Sequence, residues 1–137
     1  MANINTEINN KNRSILIIDD DSFLLDMYAL RFTQANFIVE IAMSSNEVID
    51  KLKGGLNPDI MLIDVVMPTV DGFELLERVN SEKLALNTTK VYLSNLGQEQ
   101  DIERGKSLGA EDYIVKAKNT PSEVVTRVLD ILKKHGL

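Results

Sequence analysis

Residues 14–22, Ser14-Ile-Leu-Ile-Ile-Asp-Asp-Asp-Ser22, set four consecutive aliphatic side chains against three consecutive aspartates. An unbroken apolar run of this length, bounded by polar residues, has the pattern of a strand buried on both faces. Carboxylates repel one another, so three of them at the mouth of a core require a reason. The theme returns at Asp59-Ile-Met-Leu-Ile-Asp64, again an apolar run closed by an acid. Strands buried on both faces imply a parallel sheet with helices on each side.

Working outward from these runs, strand and helix signals alternate. Phe23, Met27 and Leu30 recur at helical spacing, which predicts a helix beginning near Phe23 behind an Asp21 or Ser22 cap. It should stop near Asn36, a residue that tolerates the left-handed position after a helix. Phe37–Ala42 reads as a second strand, and Ser44-x-x-Glu47 is a capping box for a short helix ended by Gly54 and Gly55. Asp71-Gly-Phe-Glu74 can cap a third helix running through Leu75, Leu76 and Val79. Lys90–Ser94 predicts a fourth strand, followed by a polar helix near residues 98–107 that ends at Gly109. Asp112–Lys116 predicts the fifth strand. Thr120-Pro-Ser-Glu123 joins a capping box to a proline at the first helical position, and Val124, Val128 and Ile131 form the stripe of the last helix. Five strands alternating with five helices define an α/β fold, a flavodoxin-like (βα)5 three-layer sandwich. Its five-stranded parallel sheet is expected in the order 2-1-3-4-5.

Bulk properties narrow the chemistry. The 137 residues suit one domain with a full core, with 44% hydrophobic and 26% charged residues. A net charge of −6 offers no field for phosphate backbones, which argues against direct nucleic-acid binding. No cysteine is present, which removes disulfides, thiolate metal sites and thiol catalysis. The single histidine, His135, falls in the last turn, where a cation complements the helix dipole. Any metal site must therefore be a hard, oxygen-bound one. Five asparagines in the first twelve residues predict a flexible N-terminal tail over 1–13, leaving 14–137 as a single domain. No run resembles a signal peptide or reaches membrane-spanning length, so a cytoplasmic protein without membrane contact is expected. The last helix ends within a few residues of Leu137, which predicts a stand-alone domain.

In an open parallel sheet, functional groups collect beyond the carboxyl ends of the strands, where strand order reverses. Asp19 and Asp20 end the first strand, Asp64 the third, Ser94 the fourth and Lys116 the fifth. With the first and third strands adjacent, the three aspartates meet. They raise one another's pKa unless a cation neutralises them. Mg²⁺ takes oxygen ligands, keeps several waters and combines one or two carboxylates with a phosphate. The cluster thus reads as a divalent-metal site beside a phosphoryl position. Lys116 supplies positive charge, Ser94 a hydroxyl, and Asp64 a carboxylate able to form an acyl phosphate.

These residues resemble the receiver domain of two-component response regulators over residues 14 to about 134. ILIIDDD resembles the family's opening strand, PDIMLIDVVMPTVDGFELL its phosphoacceptor strand, loop and third helix, and GAEDYIVK its fifth strand. The spacings of 44 residues from Asp20 to Asp64, 30 to Ser94 and 22 to Lys116 agree with it. The resemblance implies that Asp64 accepts phosphate from a histidine kinase or histidine phosphotransfer protein. It implies Mg²⁺ held by Asp20 directly, by Asp19 mainly through water, by Asp64, and by the Val66 backbone carbonyl. Lys116 would pair with the phosphate, Ser94 would move to hydrogen-bond it, and Tyr113 would turn inward as Ser94 moves. The downstream protein target is unspecified, and a monomer is expected before phosphorylation.

Three departures from the family pattern stand out. Ala117 replaces the proline that usually follows the lysine, so a trans Lys116–Ala117 bond is expected, since cis costs ~2.5–4 kcal/mol without proline. Asn95 replaces the small residue after the switch hydroxyl. Val66 and Leu96, flanking the path of hydrolytic water, are both apolar. Three other readings compete. A receiver-like module could bind partners without phosphorylation. An aspartyl-phosphate phosphohydrolase would use an Asp19/Asp21 pair, but the chain has no room for a cap domain. A flavin binder would need Ser, Thr and Gly where the first loop has DDDS.

Overall fold

The computed structural model describes residues 12–136. Residues 1–11 of the expected tail lie outside the described residues. Strands β1 (Ser14–Ile18), β2 (Ile38–Ala42), β3 (Ile60–Ile63), β4 (Thr89–Ser94) and β5 (Asp112–Val115) alternate with five helices. These are α1 (Ser22–Gln34), α2 (Ser45–Lys53), α3 (Gly72–Ser81), α4 (Glu99–Ser107) and α5 (Pro121–Lys134), with a 3-10 turn at Lys116–Lys118. All strand pairs are parallel, and the sheet order is β2-β1-β3-β4-β5, as the alternation predicts.

Side chains alternate across the sheet, so each strand feeds two cores. Ile15, Ile17, Leu62, Val91 and Ile114 pack with α1 and α5. Leu16, Ile18, Met61, Ile63, Tyr92 and Tyr113 pack with α2 and α3, and Ile102 of α4 rests on the same cluster. Double-sided burial is what made β1 and β3 read as unbroken apolar runs.

The helix ends follow local chemistry. Asp21 caps α1, its Oδ1 accepting from the amides of Phe23 (3.0 Å) and Leu24 (3.2 Å). Asn36 follows α1 with φ 69°, the left-handed geometry expected of it. The Asp71/Glu74 and Thr120/Glu123 boxes both close reciprocally. The Ser44 box closes by half. Ser44 Oγ accepts from Glu47 N at 3.2 Å, but Glu47 Oε2 accepts from Met43 N at 3.4 Å rather than from Ser44 N.

The buried stripe of α1 differs from the set that marks this helix in the sequence. Leu25, Tyr28 and Phe32 face the core, whereas Phe23 (75% exposed) and Leu30 (57% exposed) face outward. The helix is apolar around most of its circumference, so periodicity alone does not select a face. Two further ends shift slightly: β2 begins at Ile38 rather than Phe37, and β5 stops at Val115, so Lys116 leaves the sheet. His135 sits at the C-cap of α5, where its Nε2 lies 3.2 Å from Glu111 Oε2.

Candidate functional site

Register assembles the site. Ile18 pairs with both Ala42 and Ile63, and Ile63 with Tyr92, so Asp19 and Asp64 leave the sheet side by side. Asp19 N donates to Ala42 O (3.1 Å) and Asp64 N to Ile18 O (2.9 Å), which fixes both backbones. Ser94 pairs with Val115, which places Lys116 one step past it at the same edge. The structure brings Asp19, Asp20, Asp64, Ser94, Val66 and Lys116 around one cleft of ≈ 390 Å³.

Ligand-type oxygens of Asp19, Asp20 and Asp64 all lie within 4.8 Å of one another. Asp19 and Asp64 are buried and Asp20 is exposed. Lys116 Nζ donates to Asp19 Oδ2 at 2.7 Å and lies 3.4 Å from Asp64 Oδ2. Backbone amides hold the remaining oxygens: Asp21 N donates to Asp19 Oδ1 (2.9 Å) and Val66 N to Asp64 Oδ1 (3.3 Å). Buried Ser94 Oγ accepts from Leu96 N at 3.3 Å. Asp21, third in the acidic run, is committed to capping α1.

Burial pushes the Asp64 carboxyl up to about 6, against the opposing pull of Lys116. It is therefore largely ionised at neutral pH yet poorly solvated, a condition that favours a nucleophilic carboxylate. Burial acts to lower the Lys116 pKa, but its bonds to Asp19 and its proximity to Asp64 outweigh that and hold it above the ordinary lysine value. Lys116 is thus a fixed cation between two acids.

The loop after β3 is shaped by close approach. A Cβ on Gly72 would lie 2.2 Å from the Asp64 carbonyl oxygen, so only glycine lets α3 begin against the end of β3. The sequence carried a signal for this: a glycine at a first helical position, where propensity disfavours it. Among the described residues no peptide bond is cis, so Lys116–Ala117 is trans as expected, and the chain turns at once into the 3-10 segment.

Tyr113 is 5% exposed, and its hydroxyl donates to the Leu96 carbonyl. The ring already points inward, where the resemblance had it turning as Ser94 moves. Its ring is tilted against that of Tyr92 at 5.7 Å, a residue that the apolar pattern of β4 marks only as part of a strand.

Comparison with known proteins agrees with the fold. The response regulator receiver domain family matches residues 15–129. The chain belongs to that family. The DNA-binding dual master transcriptional regulator RpaA of Synechocystis is 31% identical over 125 residues, covering 88% of this chain and 49% of the relative. The chain spans about half the length of the curated relatives it matches. The receiver domain of the Francisella response regulator 1452 superposes with a TM-score of 0.79 at 27% identity, over 90% of this chain and 99% of that one. A CheY-like receiver protein from Methanospirillum hungatei, 24% identical, shares the fold with a TM-score of 0.80 over 90% and 96% of the two chains. Receiver domains are signalling modules of two-component systems, phosphorylated on an aspartate, and they bind Mg²⁺ through an acidic cluster.

Proposed function

We propose that Asp64 is the phosphoacceptor, taking a phosphoryl group from a histidine kinase or a histidine phosphotransfer protein. The observation that carries this reading is the placement of Lys116 between Asp19 and Asp64, beside Asp20, at the carboxyl edge of the sheet. One Asp64 Oδ attacks phosphorus; the new P–O bond forms as the P–N bond to the donor imidazole breaks, and the imidazole leaves with the electron pair. Lys116 stays within reach of the incoming oxygens and offsets their charge. Ser94 Oγ, which accepts a long bond from Leu96 N at 3.3 Å and also meets the Tyr113 hydroxyl, can donate to the phosphoryl group.

The donor set suits Mg²⁺: hard carboxylate oxygens, two of them buried, within 4.8 Å of one another. Asp19, Asp20, Asp64 and the Val66 backbone carbonyl would hold the ion. When bound, it would supply charge neutralisation for the transferring group.

The protein so read is a binding module with self-catalysed phosphotransfer and slow autodephosphorylation, not a turnover enzyme. It acts in the cytoplasm, as a monomer before phosphorylation, and passes its signal to a protein target rather than to nucleic acid. Among the described residues no helix is long and apolar enough to cross a membrane, and the acidic chain suits that role. The DNA binding named for RpaA belongs to a relative of about twice the length. A native polypeptide in cell extract near 15.3 kDa supports a single-domain protein, and a much larger one refutes it. Acetyl phosphate with Mg²⁺ tests the acceptor directly. One phosphoryl group per chain, sensitive to hydroxylamine, is expected; an unlabelled chain rejects phosphorylation and favours a module that binds without it.

A further inference from the structure

Tyr92 and Tyr113 are direct partners across β4 and β5, and both rings lie on the face covered by α3 and α4. Tyr92 is fully buried, with its ring edge-on to Phe73 of α3 at 5.2 Å and tilted against Tyr113 at 5.7 Å. Its hydroxyl donates to the Gly72 carbonyl at 3.1 Å, and Gly72 rests on the backbone of Asp64. Tyr113 in turn reaches the Leu96 carbonyl, in the loop that Ser94 opens. A single buried ring therefore touches the acceptor loop at one end and the switch aromatic at the other.

Gly105 explains how so large a residue fits. It lies in the last turn of α4, inside the helix, where glycine has low helix propensity. A Cβ there would sit 2.9 Å from Tyr92 Cδ2 and 3.3 Å from Tyr113 Cδ2. The missing methyl is the space the two rings occupy. One residue earlier, the Arg104 guanidinium lies 4.5 Å over the Phe73 ring and 3.2 Å from Glu77, so the packed rings end at a surface bridge between α3 and α4.

We propose that Tyr92 is a positioning residue of the switch: wedged among Phe73, Tyr113 and Gly105, it holds the Tyr113 ring inward by packing, independently of phosphorylation, and links the Asp64 loop to α4. This rests on the reading of Asp64 as acceptor only for its signalling meaning; the ring position itself is tested in unphosphorylated protein. Packed interiors are bistable rather than continuously deformable, so removing the wedge releases Tyr113 outward.

The chain has three tyrosines and no tryptophan, so protein carrying 3-fluorotyrosine gives one ¹⁹F resonance each for Tyr28, Tyr92 and Tyr113. Phe replacements assign them. The H₂O/D₂O shift of the Tyr113 resonance reports its exposure. Near-zero solvent shift is expected in the wild type, and a shift approaching that of the urea-unfolded chain in Tyr92→Leu, with the Tyr28 resonance unmoved as a control for the fold. Gly105→Ala, which forces a Cβ against both rings, should expose Tyr113 in the same way and serves if Tyr92→Leu does not fold. A Tyr113 resonance exposed in the wild type, or one equally buried in the folded variants, overturns the proposal. Intact-mass labelling of the same samples tests the acceptor reading separately, since its failure leaves the ring measurement standing.

Discussion

Replacing Asp64 by asparagine should stabilise the metal-free protein, and the gain should vanish in acid. The Asp64 carboxyl is pushed from 3.8 up to about 6 by burial, so the fold prefers its neutral form. That preference is fully present below pH 3.8 and is lost as pH rises through 6, leaving a destabilising anion at neutral pH. At about 1.4 kcal/mol per pH unit, the gap is worth about 3 kcal/mol. Asparagine keeps the size and stays neutral, so Asp64→Asn should approach that gain at pH 8 and show almost none near pH 4. Urea unfolding with excess EDTA, followed by far-UV circular dichroism, gives both free energies. Millimolar Mg²⁺ should narrow the difference at pH 8 by stabilising the wild type alone. A gain independent of pH, or a less stable variant at pH 8, would refute the claim that Asp64 is held as a strained anion.

Other outcomes follow from single contacts. Asp21→Ala should lower stability by about 1 kcal/mol through loss of the α1 cap and leave Mg²⁺ affinity unchanged, whereas Asp20→Ala should do the reverse; Mg²⁺ titrations and urea melts of both variants separate the two acids. Gly72→Ala should destabilise by about 3 kcal/mol or more, because the Cβ lands on the Asp64 carbonyl, and a melt within error of wild type would remove that close approach. Val66 is 57% exposed and Leu96 41%, and neither offers a hydrogen bond to attacking water. Phosphorylated protein should therefore persist for minutes or longer, and Val66→Asn should shorten that lifetime in a quench-and-weigh time course; an unchanged lifetime would show that these side chains do not control water.

What the sequence made legible was local or set by strand register. Double-sided burial wrote β1 and β3 as apolar runs, and short-range bonds wrote the caps at Asp71 and Thr120. A parallel sheet aligns strand ends automatically, so Asp19, Asp20, Asp64, Ser94 and Lys116 could be placed at one edge before any contact was known. Features that depend on a distant partner were not legible. The residues Phe23, Leu25, Met27, Tyr28, Leu30 and Phe32 leave α1 apolar almost all round, and only packing against the neighbouring strands and α5 decides that Leu25, Tyr28 and Phe32 turn inward. Tyr92 and Gly105 make sense only as a fit across two elements, a large ring against a missing methyl.

The most direct test of the acceptor is to locate the labelled residue. Borohydride reduces an acyl phosphate to the corresponding alcohol, so protein treated with acetyl phosphate and Mg²⁺ and then reduced carries homoserine where the phosphoryl group sat. Peptide sequencing should find homoserine at position 64 in the wild type and at no position in Asp64→Asn. Homoserine at position 19 or 20, or undiminished labelling of Asp64→Asn, would contradict the assignment.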